Sequence, residues 1–383
     1  MRILIVTHYF EPHIGGIEIV AYNQAKGLVK MGHEVTIVTS KLKREEAIEQ
    51  KEGIRIVRVP AWNLFEKKFD VPYPIFSPRL ISTLNREVKR SDIIHAHGVL
   101  YLGSFISSLL ARIYKKPLFV TEHVGFVTYK NSIINAIEKL ALHIIGLIVL
   151  RASDAAIVLN ASVHKWTKQY KNEVHYLPNG VDLELFGKPT EQEKQTIRER
   201  YNIPLDKFVV LFVGRFVPKK GFDILYNAKD LSYLLVFVGG GTIPDHIKSD
   251  DSVRIIGPLP QGDLAMLYKA SDVFILPSHG EGFPLSIQEA MATGLPVITS
   301  KHNNLDQIAD SPLITYIDTT ETDIKSAIKK IQSNLVLRRD MGEYSSKIAR
   351  ENYSWDKNIE KLSGIYHKTL KLEDRQFERQ MKS

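Results

Sequence analysis

The sequence of 383 residues contains no cysteine. This absence excludes disulfides, a thiolate nucleophile and a zinc site with cysteine ligands. No apolar run reaches the roughly 18 residues that a membrane-spanning helix needs, because the most apolar stretch, residues 140–150, is interrupted by His143. The first residues turn polar too early for a signal peptide. We therefore expect a cytoplasmic protein without a transmembrane helix.

Charge of one sign is only mildly in excess, with 51 Lys and Arg against 43 Asp and Glu. The excess is uneven: residues 1–184 hold 24 basic and 17 acidic residues, a net charge of +7, and the remainder carries +1. A basic half suggests an anionic partner such as lipid, phosphate or nucleic acid, and solubility alone is the alternative. Aromatic residues do not cluster among the basic ones, so the pattern predicts no nucleic-acid partner.

Strand-like and helix-like segments alternate through both halves of the chain, and the length suggests two domains. The first helix is expected over residues 17–31, ended by Gly32. We predict an α/β protein of two Rossmann-like, doubly wound parallel-sheet domains that face each other across a cleft. Strands are expected at residues 2–7, 35–40, 54–59, 93–97, 118–123, 155–159, 208–213, 234–238, 254–256, 273–276 and 296–299.

The domains are expected to divide after residue 184, with the link between them in residues 180–204. The second domain then covers residues 185–355, and residues 356–383 are predicted as a helix whose return to the first domain is left open. In doubly wound domains, ligands bind at the carboxyl ends of the strands. The residues that directly follow each strand are therefore the candidates for function.

Two loops are suited to an anion. Gly15 and Gly16 lie between the first strand and the first helix, where backbone N–H groups and the helix dipole favour phosphate, although the dinucleotide fingerprint is absent. Arg215 and Lys220 follow the strand at 208–213, and a guanidinium fork with an ammonium group is well suited to phosphate oxygens. A solvated turn is the alternative interpretation of each loop.

Two glutamates bracket a third segment. Glu281 lies in a loop, Pro284 is placed in the first turn of a helix, and Glu289 follows about a turn and a half later. The helix start offers N–H groups to an anion, and the carboxylates could accept hydrogen bonds from sugar hydroxyls. Because residues 290–292 are apolar, Glu289 is expected on a buried side, where it needs a partner.

Histidines end two other strands. His123 follows the strand at 118–123 and could donate or accept a hydrogen bond near a reacting group. His95 and His97 are two residues apart and point the same way, a spacing that allows a metal site or a structural role. Without an Asp-x-Asp sequence beside them, the structural role is favoured.

Taken together these motifs closely resemble the family 4 retaining glycosyltransferases, which have the two-domain GT-B fold. The most specific element is the pair of glutamates with seven residues between them, followed by Ala290-Met291-Ala292. The resemblance covers most of the chain and rests further on Gly15-Gly16, Thr121-Glu122-His123, Pro178-Asn179-Gly180-Val181-Asp182, Gly214-Arg215, Lys220-Gly221, Gly239-Gly240-Gly241 and Gly294.

The resemblance implies a transferase whose catalytic residues are His123 and Glu281, both near the sugar. It implies that Arg215 and Lys220 neutralise the diphosphate of a nucleotide-sugar donor and that Glu289 binds ribose hydroxyls. It also implies further donor contacts at Gly16, Gly257, Leu259, Gly282, Phe283, Pro284 and Leu285.

The implied reaction needs no metal and no other cofactor, because cations and a helix start stabilise the leaving diphosphate. Front-face attack and a covalent intermediate both remain open for retention. One departure is that residues 300–307 lack the Gly-rich turn and Pro-Glu usual for the family, so the resemblance assigns this loop no role. The alternative to a transferase with a lipid-linked acceptor is an epimerase or an enzyme with a soluble acceptor. A phosphorylase of this fold would need a lysine that holds pyridoxal phosphate, and no local sequence signature points to one.

The acceptor is expected to be a lipid-linked glycan, a phospholipid or a surface polysaccharide precursor at the inner face of the membrane. Residues 133–150 are apolar, and basic residues lie nearby in sequence. An interfacial helix at an anionic membrane and a buried helix of the first domain are both left open. The basic residues are Arg112, Lys115, Lys116, Lys130, Lys139 and Arg151.

Overall fold

The computed structural model describes residues 1–13, 15–42, 44–69, 71–123, 132–248, 250, 252–279, 283–301 and 311–381. The chain forms two compact units. The first comprises Met1–Pro178 with Trp355–Ser383, and the second comprises Asn179–Ser354. The units thus divide after Pro178, whereas the sequence predicts the boundary after residue 184.

The first unit contains a sheet whose strands, numbered along the chain, order as β3-β4-β2-β1-β6-β7-β8-β9, with β5 paired to β4. Strands β4, β2, β1, β6, β7, β8 and β9 run parallel to one another. Strands β3 and β5 each run antiparallel to β4. Strands β1 to β9 are Arg2–Val6, Glu34–Lys41, Ile48–Lys51, Ile54–Trp62, Ile75–Phe76, Ile93–His97, Leu118–Glu122, Ala155–Val158 and Val174–Tyr176.

Helices cover both faces of this sheet. Successive strand residues point to opposite sides, and apolar residues on both sides must be buried. In β1, Leu4 and Val6 belong to one apolar cluster, and Ile3 and Ile5 belong to the other. This burial on two sides explains the continuous apolar strands of the sequence. Helices α1 to α7 are Gly16–Lys30, Leu64–Phe69, Arg79–Arg90, Leu102–Tyr114, Ser132–Ala141, Leu147–Ala152 and Ala161–Thr167, and a π-helical turn, Leu142–Gly146, joins α5 to α6.

The second unit is built on a parallel sheet in the order β12-β11-β10-β13-β14-β15 around one large apolar cluster. Strands β10 to β15 are Phe208–Val213, Tyr233–Val238, Val253–Ile256, Val273–Leu276, Val297–Ser300 and Thr315–Ile317. Helices α8 to α14 are Glu191–Arg200, Phe222–Asn227, Asp245–Lys248, Gln261–Ala270, Leu285–Ala292, Glu321–Ser333 and Leu335–Asn352, and the 3₁₀ turn Pro218–Lys220 precedes α9.

The predicted strands are confirmed to within a residue or two at most ends. Strands β3, β5, β9 and β15 were not predicted, because they are short, half-exposed segments without a continuous apolar run. The predicted link at residues 180–204 is wrong in part, because it includes α8, a helix of the second unit. Helix α8 starts with a capping box of Thr190 and Glu193.

The last helix, α15 (Trp355–Met381), belongs to the first unit. Its Leu362 and Tyr366 are fully buried in the same cluster as the inner side of α1. No helix of the described residues is long and apolar enough to cross a membrane.

Candidate functional site

In the second unit, the sheet has a switch point between β10 and β13. From β10 the chain moves outward to β11 and β12, then returns to the other side of β10 with β13. Ligands of open α/β sheets bind at the carboxyl ends of the strands at such a point. Arg215 and Lys220 follow β10, and Glu289 lies on α12, which follows β13. The topology therefore brings these three predicted residues to one edge of one sheet.

Backbone hydrogen bonds hold the loop of Arg215 against the glycine loop after β11. The N–H of Gly214 donates to the carbonyl of Val238 at 3.0 Å, and the N–H of Phe216 donates to that of Gly240 at 2.8 Å. Gly239 has a φ of +149°, and a Cβ there would overlap the carbonyl of Gly214. The close approach needs glycine, and it fixes the backbone on both sides of Arg215, whose side chain is exposed.

Lys220 closes the 3₁₀ turn that leads into α9. Its successor Gly221 has a φ of +74°, and a Cβ there would overlap the carbonyl of Pro277, just after β13. The N–H of His279 also donates to the carbonyl of Lys219 at 2.8 Å. The loops after β10 and β13 are thus joined at the switch point, which sets where the Lys220 ammonium group can reach.

Glu289 is buried, as the sequence predicted, and it has a partner. The hydroxyl of Tyr268, itself fully buried on α11, donates to Glu289 Oε2 at 2.9 Å. Burial raises the pKa of Glu289 to about 7, although the bond from Tyr268 lowers it. A buried carboxylate near its pKa at neutral pH is costly to the fold and is typical of a functional group. Tyr268 carries no signal in the sequence, because it lies on a different helix from Glu289.

The start of α12 differs slightly from the prediction. The helix begins at Leu285, and Pro284 is the cap before it rather than a residue of the first turn. Phe283 is buried, with its ring 4.9 Å from that of Tyr353. Because the first amides of a helix have no intrahelical acceptor, Leu285 retains the donor capacity that the sequence analysis gave it. Glu281 and Gly282 lie outside the described residues.

The remaining donor-site predictions of the second unit lie at the end of β12. Gly257 is exposed, and nothing lies within 4 Å of the position that a Cβ would take there. Leu259 is half-buried and packs on the core cluster. Residues 302–307 of the unusual loop lie outside the described residues, whereas Ser300 is buried at the end of β14.

In the first unit, Gly16 is the first residue of α1 and Gly15 is its cap. A Cβ on Gly15 would overlap the carboxylate of Glu18, so that side chain folds back over the helix start. His13 Nδ1 lies 2.9 Å from Glu18 Oε1, and its Nε2 lies 3.1 Å from Glu66 Oε1. Burial opposes the charged form of His13, but the two carboxylates raise its pKa. The helix start thus already faces a carboxylate.

The histidines of the first unit form a buried group. His123 Nε2 lies 2.9 Å from His97 Nδ1. His95 Nε2 lies 2.7 Å from Thr121 Oγ1, and its Nδ1 lies 2.7 Å from the hydroxyl of Tyr366 on α15. Both ring nitrogens of His95 are therefore occupied, which supports a structural role. In the described part of the chain, no group of three or more metal-ligating side chains occurs.

The apolar segment at residues 133–150 has two faces in its described part. Val149 and Leu150 are fully buried in the core. The opposite side presents an apolar stripe, which we define as Ile137, Leu140, Ile144 and Ile148, exposed by 61%, 61%, 50% and 37%. The segment is thus partly core and partly an exposed apolar surface.

Two parallel-sheet α/β units of this kind define the GT-B class of glycosyltransferases. Sucrose-phosphate synthase from Thermosynechococcus elongatus superposes with a TM-score of 0.78 at 20% identity, over 97% of this chain and 99% of that one. Anabaena HepE, crystallised with UDP and glucose, gives 0.76 at 16% identity over 95% and 99%. These likenesses show the fold.

The chain belongs to the family 4 glycosyltransferases. The Glycosyltransferase Family 4 model matches residues 14–185, and the Glycosyl transferases group 1 model matches residues 193–348. The D-inositol 3-phosphate glycosyltransferase of Corynebacterium glutamicum is 24% identical over 97% of each chain. A phosphatidylinositol N-acetylglucosaminyltransferase component from Arabidopsis thaliana is 23% identical over 98% of this chain and 83% of its own length.

Proposed function

We propose that this glycosyltransferase moves a hexose or N-acetylhexosamine, with retention, from a UDP- or GDP-linked sugar to a hydroxyl of a lipid-linked glycan, phospholipid or surface polysaccharide precursor. The names of two relatives, one containing an inositol phosphate and one phosphatidylinositol, support a polar or lipid-anchored acceptor. HepE has been crystallised with UDP-glucose as well, which supports a nucleotide-sugar donor.

The observation that carries the donor proposal is the buried carboxylate of Glu289 at the switch point of the second sheet. Its second oxygen is not needed for the bond from Tyr268, so it remains a strong acceptor for the vicinal hydroxyls of a ribose. A buried carboxylate destabilises the fold when no ligand is bound. Such a group is typical of a site where a ligand donates hydrogen bonds to it. A ribose supplies hydroxyl donors for that second oxygen.

The chemistry of the leaving group explains the remaining residues. Transfer leaves a nucleoside diphosphate, and the negative charge that develops on it is stabilised by Arg215, Lys220 and the start of α12. His123 and Glu281 are proposed to contact the sugar, and Gly16 the diphosphate. We propose that no metal takes part, so that EDTA leaves the rate unchanged. The anomeric configuration of the product, read by NMR, tests retention.

Thermal shift measurements with UDP, GDP and ADP test the donor site. The matching nucleotide should raise the melting temperature of the wild type, whereas Glu289→Gln and Lys220→Ala should lose most of this shift and remain folded. Lys347→Ala, an exposed position on α14, is the matched control and should respond like the wild type. A full response in both site variants would overturn the assignment of these residues.

The membrane proposal rests on the apolar stripe and on exposed basic residues near it in the sequence, such as Lys139 and Arg151. Helix α4, which packs on α6, adds exposed Ile113 between exposed Arg112 and Lys115. An apolar stripe with cations nearby is suited to the interface of an anionic membrane.

Vesicle flotation tests this surface. The wild type should float with phosphatidylglycerol vesicles and much less with phosphatidylcholine vesicles. The double substitution Ile137→Ser and Ile144→Ser should abolish flotation. Flotation unchanged by the double substitution would contradict this surface.

A further inference from the structure

The first sheet has its own switch point, between β1 and β6, and histidines lie at it. His8 follows β1, His97 is the last residue of β6, and His123 follows β7, the next strand. The parallel register pairs Val6 with Ala96 and His97 with Thr121, so the three histidines end neighbouring strands at the same edge. His123 was singled out by the sequence, but His8 was not.

The three imidazoles are buried and neutral. Burial lowers the pKa of His123 to about 3 and the pKa values of His8 and His97 well below their ordinary value. The neighbouring imidazoles lower the pKa of His97 further. A neutral imidazole has one N–H donor and one acceptor nitrogen. The contact of 2.9 Å between His97 and His123 uses one nitrogen of each ring.

Two nitrogens of this group are left over. Among the described residues, neither His97 Nε2 nor His8 Nδ1 has a hydrogen-bond partner, although both atoms are buried. His95, two residues before His97, has partners at both nitrogens. Buried polar atoms are paired in native proteins, because an unpaired one destabilises the fold. The unpaired nitrogens of His97 and His8 therefore indicate a group that binds there.

We propose that His8 and His97 form a subsite for a hydroxyl group of a neutral sugar or polyol. A hydroxyl both donates and accepts, so it satisfies His97 Nε2 whichever nitrogen of the His97–His123 contact carries the proton. Uncharged imidazoles give a phosphate no counter-charge. The ring of Tyr101 stacks on His8 at 3.6 Å and 7°, which fixes the direction of the His8 nitrogens.

The subsite rests on the proposed function only for the origin of the hydroxyl, which is either the donor sugar or the acceptor. The direct test is NMR of protein labelled with ¹⁵N-histidine, titrated with glucose, N-acetylglucosamine and myo-inositol. At least one of these probes should shift the Nε2 resonance of His97 and the Nδ1 resonance of His8. The resonance of exposed His246 should stay in place.

Two variants of His97 separate the subsite from the fold. In His97→Asn the amide takes the place of Nδ1 and keeps the contact with His123, but Nε2 is gone. This variant should fold and bind the responding probe about fivefold more weakly, as expected for the loss of one hydrogen bond. His97→Gln restores a polar group near the Nε2 position and should bind more tightly than His97→Asn.

Two arms identify the source of the hydroxyl. If it comes from the donor, His97→Asn weakens binding of the nucleotide sugar about fivefold but leaves binding of the nucleoside diphosphate alone unchanged. If the hydroxyl comes from the acceptor, His97→Asn leaves the affinities for the nucleotide sugar and for the nucleoside diphosphate unchanged. The free probe then still shifts the His97 and His8 resonances of the nucleotide-saturated wild type.

The subsite is overturned if no probe shifts the His97 or His8 resonances, because buried water then satisfies both nitrogens. The donor proposal would survive that result if nucleotides still raise the melting temperature. Conversely, a probe response without any nucleotide response would support the subsite and contradict the donor proposal.

Discussion

Glu289 shows how a single residue connects stability with function. Its side chain is buried, and its pKa of about 7 in the folded state lies above the 4.5 that is ordinary for glutamate. Between these two values the folded protein binds more protons than the unfolded chain, so its stability falls as pH rises through this window. Above about pH 7 the carboxylate is ionised and its destabilising effect on the second unit reaches its full size, unless a ligand donates hydrogen bonds to it.

Glu289→Gln should therefore stabilise the protein at pH 8 by about 1 to 3 kcal/mol and change it little at pH 4.5. Glutamine keeps the shape and can still accept from Tyr268, but it removes the charge. Urea unfolding at the two pH values measures the difference. Glu343→Gln on α14 is the control, because Glu343 is exposed, and it should be neutral at both. Equal effects of Glu289→Gln at both pH values would contradict the raised pKa.

The site residues differ in how far the sequence could predict them. Arg215, Lys220 and Glu289 follow strands, and the α/β pattern alone places such residues at one edge. The apolar residues 290–292 also indicated that Glu289 is buried. Tyr268 and His8 carried no local signal, because their roles come from contacts between segments that are distant in the sequence. Only the fold brings these side chains together.

Among the elements, α8 and α15 were the hardest to interpret from the sequence. The polarity of α8 suggested a link, but its Arg198 is buried and its guanidinium lies 2.7 Å from Asp272, beside Lys194. Paired charges let a polar helix pack on a core, and no hydrophobic periodicity reveals them. Helix α15 was predicted as a helix, but its attachment to the first unit depends on Leu362 and Tyr366.

Tyr366→Phe tests that attachment. The ring should still pack on Phe119, whose centroid lies 4.7 Å away, but His95 Nδ1 would lose its partner in the core. An unpaired buried nitrogen should cost about 1 to 3 kcal/mol of unfolding free energy. Tyr22→Phe is the control, because its hydroxyl bonds to exposed Glu52, and it should cost less than about 0.5 kcal/mol. Chemical denaturation measures both, and equal losses would contradict the attachment through His95.

At the scale of the whole molecule, the two units should respond to acid in opposite ways. Four buried histidines of the first unit are neutral when folded, with pKa values lowered by burial. The unfolded chain protonates them below about pH 6.5, so the first unit loses stability as pH falls, by up to about 5 kcal/mol per pH unit for four protons. Glu289 has the opposite sign and makes the second unit more stable as the pH falls from 7 to 4.5.

Acid unfolding should therefore begin in the first unit. All three tryptophans, Trp62, Trp166 and Trp355, belong to it, so their fluorescence reports this unit alone. Far-UV circular dichroism reports both. On lowering the pH from 7.5, the fluorescence transition should be complete while part of the circular dichroism remains, and Glu289→Gln should leave the fluorescence transition unchanged. A single transition seen identically by both probes below pH 4 would show that the histidines do not set the acid stability of the first unit.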